Sequence, residues 1–196
     1  PKVLIMAGGG RVGKTTLLRS LDIPENIPIF NPDKYVEQEN LPLATASSKV
    51  EKEVSDAITK NRSFVWDTTA SNKKKVDTLD SMGYDILMIM TYTHPIISFL
   101  SNFEREERSI PKAAVFSTWQ AVYDLINDYK RVLGDNFLLN VNLRGGKYDK
   151  EIKAFNTAAK KGGAGILAFL DNLMQDDPDK YKSSFSRPYE IEDTEA

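Results

Sequence analysis

The spacing of apolar positions changes repeatedly along the chain, and the changes mark out its elements. Val3 to Met6 is an unbroken apolar run, the pattern of a central parallel strand covered on both faces. Short apolar runs recur at Ile29-Phe30, Phe64-Val65-Trp66, Ile86 to Met90 and Phe137 to Val141. Between them the period lengthens to that of a helix. A first helix is expected over Thr15–Leu21, with Leu17, Leu18 and Leu21 toward the sheet. A second is expected over Thr45–Lys60, with Ala46, Val50, Val54 and Ala57 on one stripe. A third covers Lys73–Met82, with Val76, Leu79 and Met82 inward and Gly83 closing it. His94-Pro95 opens a helix that runs through Ile97, Leu100 and Phe103. One long helix is expected over Lys112–Leu133, because Val115, Trp119, Val122, Ile126, Tyr129 and Leu133 keep the helical period. Helices around Ile152–Ala159 and Ile166–Met174 follow, split by Gly162-Gly163.

Five strands alternating with helices predict an α/β fold: a parallel, doubly wound sheet with helices on both faces. The connection Glu104–Pro111 joins two helices and does not fit a simple β–α–β step. It predicts a lid over about residues 94–133. Residues 1–175 then make one domain. From residue 176 to 196 the chain is polar, acidic and proline-containing, and reads as a tail.

Bulk properties narrow this picture only slightly. A length of 196 residues suits a single core, and a formal net charge of −2 supplies no global field toward nucleic acid or membrane. The sequence has no cysteine, so disulfides and thiolate metal sites are excluded. No apolar run reaches membrane-spanning length. The expectation is a cytoplasmic protein without a signal peptide, since the first strand begins almost at residue 1.

The chemistry concentrates after three of the strands. Gly8-Gly9-Gly10-Arg11-Val12-Gly13-Lys14-Thr15-Thr16 fits G-x-x-x-x-G-K-[ST] between an apolar strand and a helix. Glycines let successive backbone N–H groups face one anion, and the helix adds its positive N-terminal end. Lys14 then reaches the outer phosphates of ATP, and the Thr15 hydroxyl ligates Mg²⁺. Arg11 either adds a contact or points to solvent. Asp33 follows the second strand, at the sheet edge where parallel α/β folds place ligands. It reads as a general base for a hydroxyl acceptor, or else as a helix cap. Asp67 ends the third strand and holds either metal or acceptor, with Thr68 beside it. Arg105 and Arg108 lie one helical turn apart. From spacing alone they are a salt-bridged surface among Glu104, Glu106 and Glu107. His94, the single histidine, reads as a helix-opening residue. Lys73-Lys74-Lys75 reads as helix surface within reach of an anionic substrate, and Trp66 and Tyr35 as rings able to stack on a base.

In this order the motifs resemble those of the P-loop kinases that group polynucleotide 5′-hydroxyl kinases with zeta-toxin-like kinases. Four matches carry the resemblance: the phosphate loop, Asn31-Pro32-Asp33, Asp67-Thr68-Thr69, and the series Asn102, Arg105, Arg108, Ile110-Pro111. It covers Lys2 to Val141. It implies a P-loop NTPase fold, Asp33 as general base, Asp67, Thr68 and Asn102 at the acceptor, and Arg105 and Arg108 as catalytic lid residues. The acceptor implied is a nucleic-acid or nucleotide-like 5′-hydroxyl, or alternatively a UDP-amino sugar or small alcohol. The chain departs from polynucleotide kinases at Val36, where they carry an arginine for the acceptor phosphate. Readings of another class are a non-catalytic ATP-binding subunit and a GTPase-like nucleotide-binding regulatory module, and the latter predicts an N-K-x-D element. The nearest string, Asn72-Lys73-Lys74-Lys75, lacks the aspartate.

Overall fold

A computed structural model of the chain describes residues 1–9, 14–103, 112–162 and 164–165, and the side chains of all of these but 102–103 and 112–116. The strands are β1 (Lys2–Ala7), β2 (Ile29–Phe30), β3 (Phe64–Asp67), β4 (Asp85–Tyr92) and β5 (Phe137–Val141). They form one sheet in the order β2-β3-β1-β4-β5. β1 pairs in parallel with both β3 and β4, and β2 pairs in parallel with β3. This is the expected α/β architecture. The helices are α1 (Lys14–Ser20), α2 (Pro32–Gln38), α3 (Leu43–Thr59), α4 (Lys73–Ser81), α5 (Pro95–Phe103), α6 (Lys112–Tyr123), α7 (Ile126–Leu133) and α8 (Asp149–Ala159).

The described residues divide into two compact units. The first holds residues 1–8, 14–91 and 124–140. All four residues of β3 are buried, as are Val3, Ile5, Met6 and Ala7 of β1. A strand with a neighbour on each side and cover on both faces has no polar face to show, which is why these segments read as unbroken apolar runs. Over them pack Ala46, Val50, Val54 and Ala57 of α3, and Val76 and Leu79 of α4. Each fully buried valine or leucine side chain contributes about 1.5–3 kcal/mol. The second unit holds residue 9 and residues 92–103, 112–123, 141–162 and 164–165. Its core is Ile96, Ile97, Phe99 and Leu100 of α5 against Tyr148 and Phe155.

Four expectations are corrected. The long helix over Lys112–Leu133 is two helices, α6 and α7, with turn residues between them. Leu125, at φ −89° and ψ −2°, stands just before α7, and the two turn residues leave the apolar period undisturbed. Asn31-Pro32 opens a helix, α2, that the apolar pattern does not predict, with Pro32 in the first turn where its missing N–H costs nothing. Met82 is 54% exposed and not inward, because α4 ends one residue earlier. Gly83 follows at φ +82°, a conformation that favours glycine. Trp66 is buried in the sheet with Lys75 Nζ 4.8 Å from its ring centre, so it is not available to stack on a base. Leu17, Leu18 and Leu21 are not among the buried residues of the core. The expected helix Ile166–Met174 and the tail 176–196 lie outside the described residues.

Candidate functional site

The site grows from the carboxyl ends of β1, β3 and β2. β1 ends at Ala7, and Gly8 takes φ +139°, where a side chain would be strained. The Gly8 N–H donates to Thr69 O at 3.3 Å, which ties the start of the loop to the segment after β3. Gly10, Arg11, Val12 and Gly13 lie outside the described residues. Lys14 opens α1, and Thr15 and Thr16 follow on its exposed first turn.

Lys14 Nζ lies 3.4 Å from Asp67 Oδ1. Asp67 is only 4% exposed, and its second oxygen, Oδ2, accepts from Asn31 Nδ2 at 3.0 Å. The same asparagine caps α2: its Oδ1 accepts from the Asp33 N–H at 2.9 Å. Three residues singled out from sequence, Lys14, Asp33 and Asp67, are thus brought together from three elements, with Asn31 linking two of them. Burial pushes the Asp67 carboxyl above its ordinary value of 3.8. The Lys14 charge and hydrogen bond pull it back, and the neighbouring Asp33 charge raises it again. Asp33 occupies the first turn of α2, and the capping role belongs to Asn31.

The segment after Asp67 is held firmly. The Thr68 N–H donates to Met6 O at 3.0 Å, and Ala70 N donates to Thr68 Oγ1 at 3.4 Å. Ala70 sits at φ +56°, uncommon for a residue with a Cβ, and its carbonyl accepts from the Tyr129 hydroxyl at 2.5 Å. The lysine run that follows is partly engaged. Lys75 pairs with Glu51 at 2.7 Å in addition to covering Trp66, and Lys73 lies 4.0 Å from Asp77. Asn72 caps α4 by accepting from Lys74 N at 3.0 Å, an ordinary structural use of an asparagine. Tyr35 is half-buried. Its hydroxyl donates to Glu53, which pushes it up to about 12, and Lys49 Nζ stands 4.2 Å from the ring centre.

His94 opens α5 as expected: its Nδ1 accepts from the Ile96 N–H at 3.2 Å, and its Nε2 meets Asn156 Oδ1 at 2.8 Å. Burial lowers its pKa. The side chain of Asn102, and Arg105 and Arg108 with the whole connection Glu104–Pro111, lie outside the described residues. Among the described residues no group of three or more acids or histidines forms a metal cluster. Mg²⁺ does not need one, since it keeps several waters and takes phosphate oxygens beside one or two protein oxygens. The Thr15 hydroxyl and a buried carboxylate at Asp67 suit that chemistry. No helix of the described residues is long and apolar enough to cross a membrane.

In the second unit, Tyr123 holds Gly9, a contact that the sequence did not reveal. Its hydroxyl accepts from the Gly9 N–H at 3.2 Å, within a cluster with Tyr92 and Trp119 whose rings lie 5.1 and 5.3 Å away. Trp119 Nε1 in turn donates to Thr93 O at 2.9 Å. Burial pushes the Tyr123 hydroxyl up to about 12, so it stays neutral. Tyr123→Phe keeps the ring but leaves a buried N–H unpaired, at a cost of about 1–3 kcal/mol. A lower melting temperature and weaker ATP binding are expected in calorimetry. A variant equal to wild type in both would show that Tyr123 does not hold the loop.

No protein-family model matches the sequence, and no curated protein matches it significantly. Solved structures do. The AvrRxo1-ORF1:-ORF2 complex with ATP aligns at a TM-score of 0.56 and 14% identity, covering 75% of this chain and 56% of that one. The PezAT chromosomal toxin–antitoxin system of Streptococcus pneumoniae aligns at 0.55 and 19%, covering 74% and 69%. The chain spans little more than half of the first of these. At such identities the likeness shows the fold. This chain shares the α/β fold of these structures, with its five-stranded sheet.

Proposed function

We propose that this chain is a phosphotransferase that moves the γ-phosphoryl group of ATP, with Mg²⁺, onto a hydroxyl acceptor. One observation carries the reading: Lys14, Asp67, Asn31 and Asp33 converge at the carboxyl edge of β1, β3 and β2, although two of the links join residues far apart in sequence. The backbone of Gly8–Thr16 cradles the phosphates, and Lys14 turns from Asp67 to the outer ones. Thr15 and Asp67 would hold Mg²⁺, which supplies charge neutralisation to the phosphate oxygens when bound. Asp33 takes the proton from the acceptor hydroxyl as the new O–P bond forms. The bond to the bridging oxygen breaks and ADP leaves. Thr68 and Asn102 would contact the acceptor. Arg105 and Arg108 would meet the developing charge, a role that rests on the resemblance alone.

A base at Asp33 favours a hydroxyl over a phosphate acceptor, because only the hydroxyl has a proton to lose. A nucleic-acid or nucleotide-like 5′-hydroxyl is one such acceptor. A second, a UDP-amino sugar or small alcohol, is favoured by the burial of Trp66 and the engagement of Lys75, which take a stacking ring and a cation away from a polynucleotide. Val36 removes a further cation. The test is γ-labelled ATP offered in parallel to a 5′-hydroxyl oligonucleotide and to a UDP-amino sugar. Label on either, lost in Asp33→Asn, supports the transfer reading and chooses the acceptor. ATP binding with no hydrolysis and no transfer would favour the non-catalytic module.

A further inference from the structure

We propose that Asn31 is a positioning residue that yokes the two site carboxylates, fixing Asp67 with one end of its side-chain amide and the helix turn carrying Asp33 with the other. The inference extends the phosphotransfer reading of the same site and rests on it for its catalytic part.

The geometry follows from the strand register. Ile29 pairs with Val65 and Phe30 with Trp66, so the next residues on each strand, Asn31 and Asp67, stand level at the sheet edge. Asn31 has extended backbone (φ −147°, ψ 123°), the conformation of a helix N-cap. Pro32 has no N–H, so the first donor α2 presents is that of Asp33, and Asn31 Oδ1 accepts it at 2.9 Å. That bond decides which end of the amide is which. The oxygen must face the N–H, so Nδ2 must face away from it, toward Asp67 Oδ2 at 3.0 Å. The amide orientation is set by chemistry on both sides.

The consequence concerns what remains at Asp67 when Lys14 engages nucleotide. The Lys14 ion pair at 3.4 Å uses Oδ1, and turning Lys14 to the phosphates leaves that oxygen free for the metal side. Asn31 still holds Oδ2, so the carboxylate keeps its orientation in a site where it is 4% exposed. Because the same amide caps α2, the distance between Asp67 and Asp33 is set by one rigid planar group rather than by two independent side chains. An asparagine that only capped the helix would need no partner on β3.

The yoke and the cap separate by substitution. Asn31→Asp keeps a good cap but sets two carboxylates face to face. Asp67→Asn leaves a single oxygen for two donors, Lys14 and Asn31, so one of them must face the new NH₂ group. The double exchange restores a donor opposite an acceptor: the new carboxylate at position 31 still accepts from the Asp33 N–H, and it also accepts from the new amide at position 67, whose oxygen serves Lys14. Each single variant is expected to lower the melting temperature, and the exchange to recover most of the loss. Such non-additivity is the signature of a direct contact. An exchange no more stable than the two single effects summed would overturn the yoke. This cycle reads only folding, so it gives its answer even if wild type transfers no phosphate, an outcome that would overturn the phosphotransfer reading alone. Asn31→Ser keeps a capping oxygen but is too short to reach Asp67. It is expected to lower kcat by about 10–100-fold, as for other groups that orient a metal-site carboxylate, with the KM for ATP moving far less. Full kcat in Asn31→Ser would overturn the positioning role.

Discussion

Lys14→Ala is expected to lower turnover of ATP by about 10²–10³-fold, the cost of deleting one preorganised charge at a developing phosphoryl group. The structure adds a second consequence. Lys14 is the ion-pair partner of Asp67, a carboxylate that is 4% exposed. Removing it strips away the charge that holds the Asp67 carboxyl down against burial. Losing one member of a buried pair costs about 3–5 kcal/mol when the remaining charge stays buried. The sign of the pH dependence follows from the direction of the shift. Asp67 titrates above 3.8 in the folded protein, so its contribution to stability is present below that pH and is lost as pH rises through the raised folded value. Without Lys14 the folded value moves further up and the loss grows. Lys14→Ala should therefore match wild type most closely in acid and fall behind it toward neutrality. Denaturant titrations of both proteins across that range read the difference directly. A stability gap independent of pH would show that Lys14 does not compensate the Asp67 charge. Unchanged phosphoryl transfer would refute its place in the phosphate site.

The second large effect is expected for Asp33→Asn. General-base catalysis is worth about 10²–10⁴-fold, and asparagine keeps the size of the side chain but takes no proton. Transfer should collapse while ATP still binds. The structure sharpens this test. Were Asp33 the cap of α2, the substitution would be a fold change as well as a chemical one. The cap is Asn31, and it bonds the backbone N–H of residue 33, which the substitution leaves in place. The remaining structural cost is that of one acidic group in the first turn of a helix, about 0.3–1 kcal/mol. Calorimetric ATP binding and melting near wild type, with transfer lost, is the expected pattern. Binding and melting that fall together would make Asp33 a structural residue.

The sheet and most of its helices could be read from the apolar pattern, and the reason is burial. β3 is covered on every side and β1 nearly so, which leaves their residues no choice but to be apolar until Asp67. The stripe Ala46, Val50, Val54, Ala57 is the buried face of α3, residue for residue. Errors fell where the determining contact was not periodic. The break between α6 and α7 falls at two turn residues that leave the apolar period intact. The opening of α2 carried a sequence signal, asparagine before proline, that marks a helix start as readily as a turn. Trp66 looked like a stacking ring because its neighbour is a site acid. Successive residues of a strand point to opposite faces, so adjacency to Asp67 says little about where the ring goes.

By itself the sequence determined the order of elements and the placing of Lys14, Asp33 and Asp67 after three of the strands. These depend on local physics, the period of burial along one segment. The tertiary structure decided how those residues act on one another. The bond from Asn31 to Asp67 spans 36 residues and that from Gly9 to Tyr123 spans 114. Such contacts arise because parallel pairing sets β2 beside β3 in one register, and because a helix returns to the start of the loop. A hydrogen-bond partner is chosen by position in space, and position in space is a property of the whole packed chain.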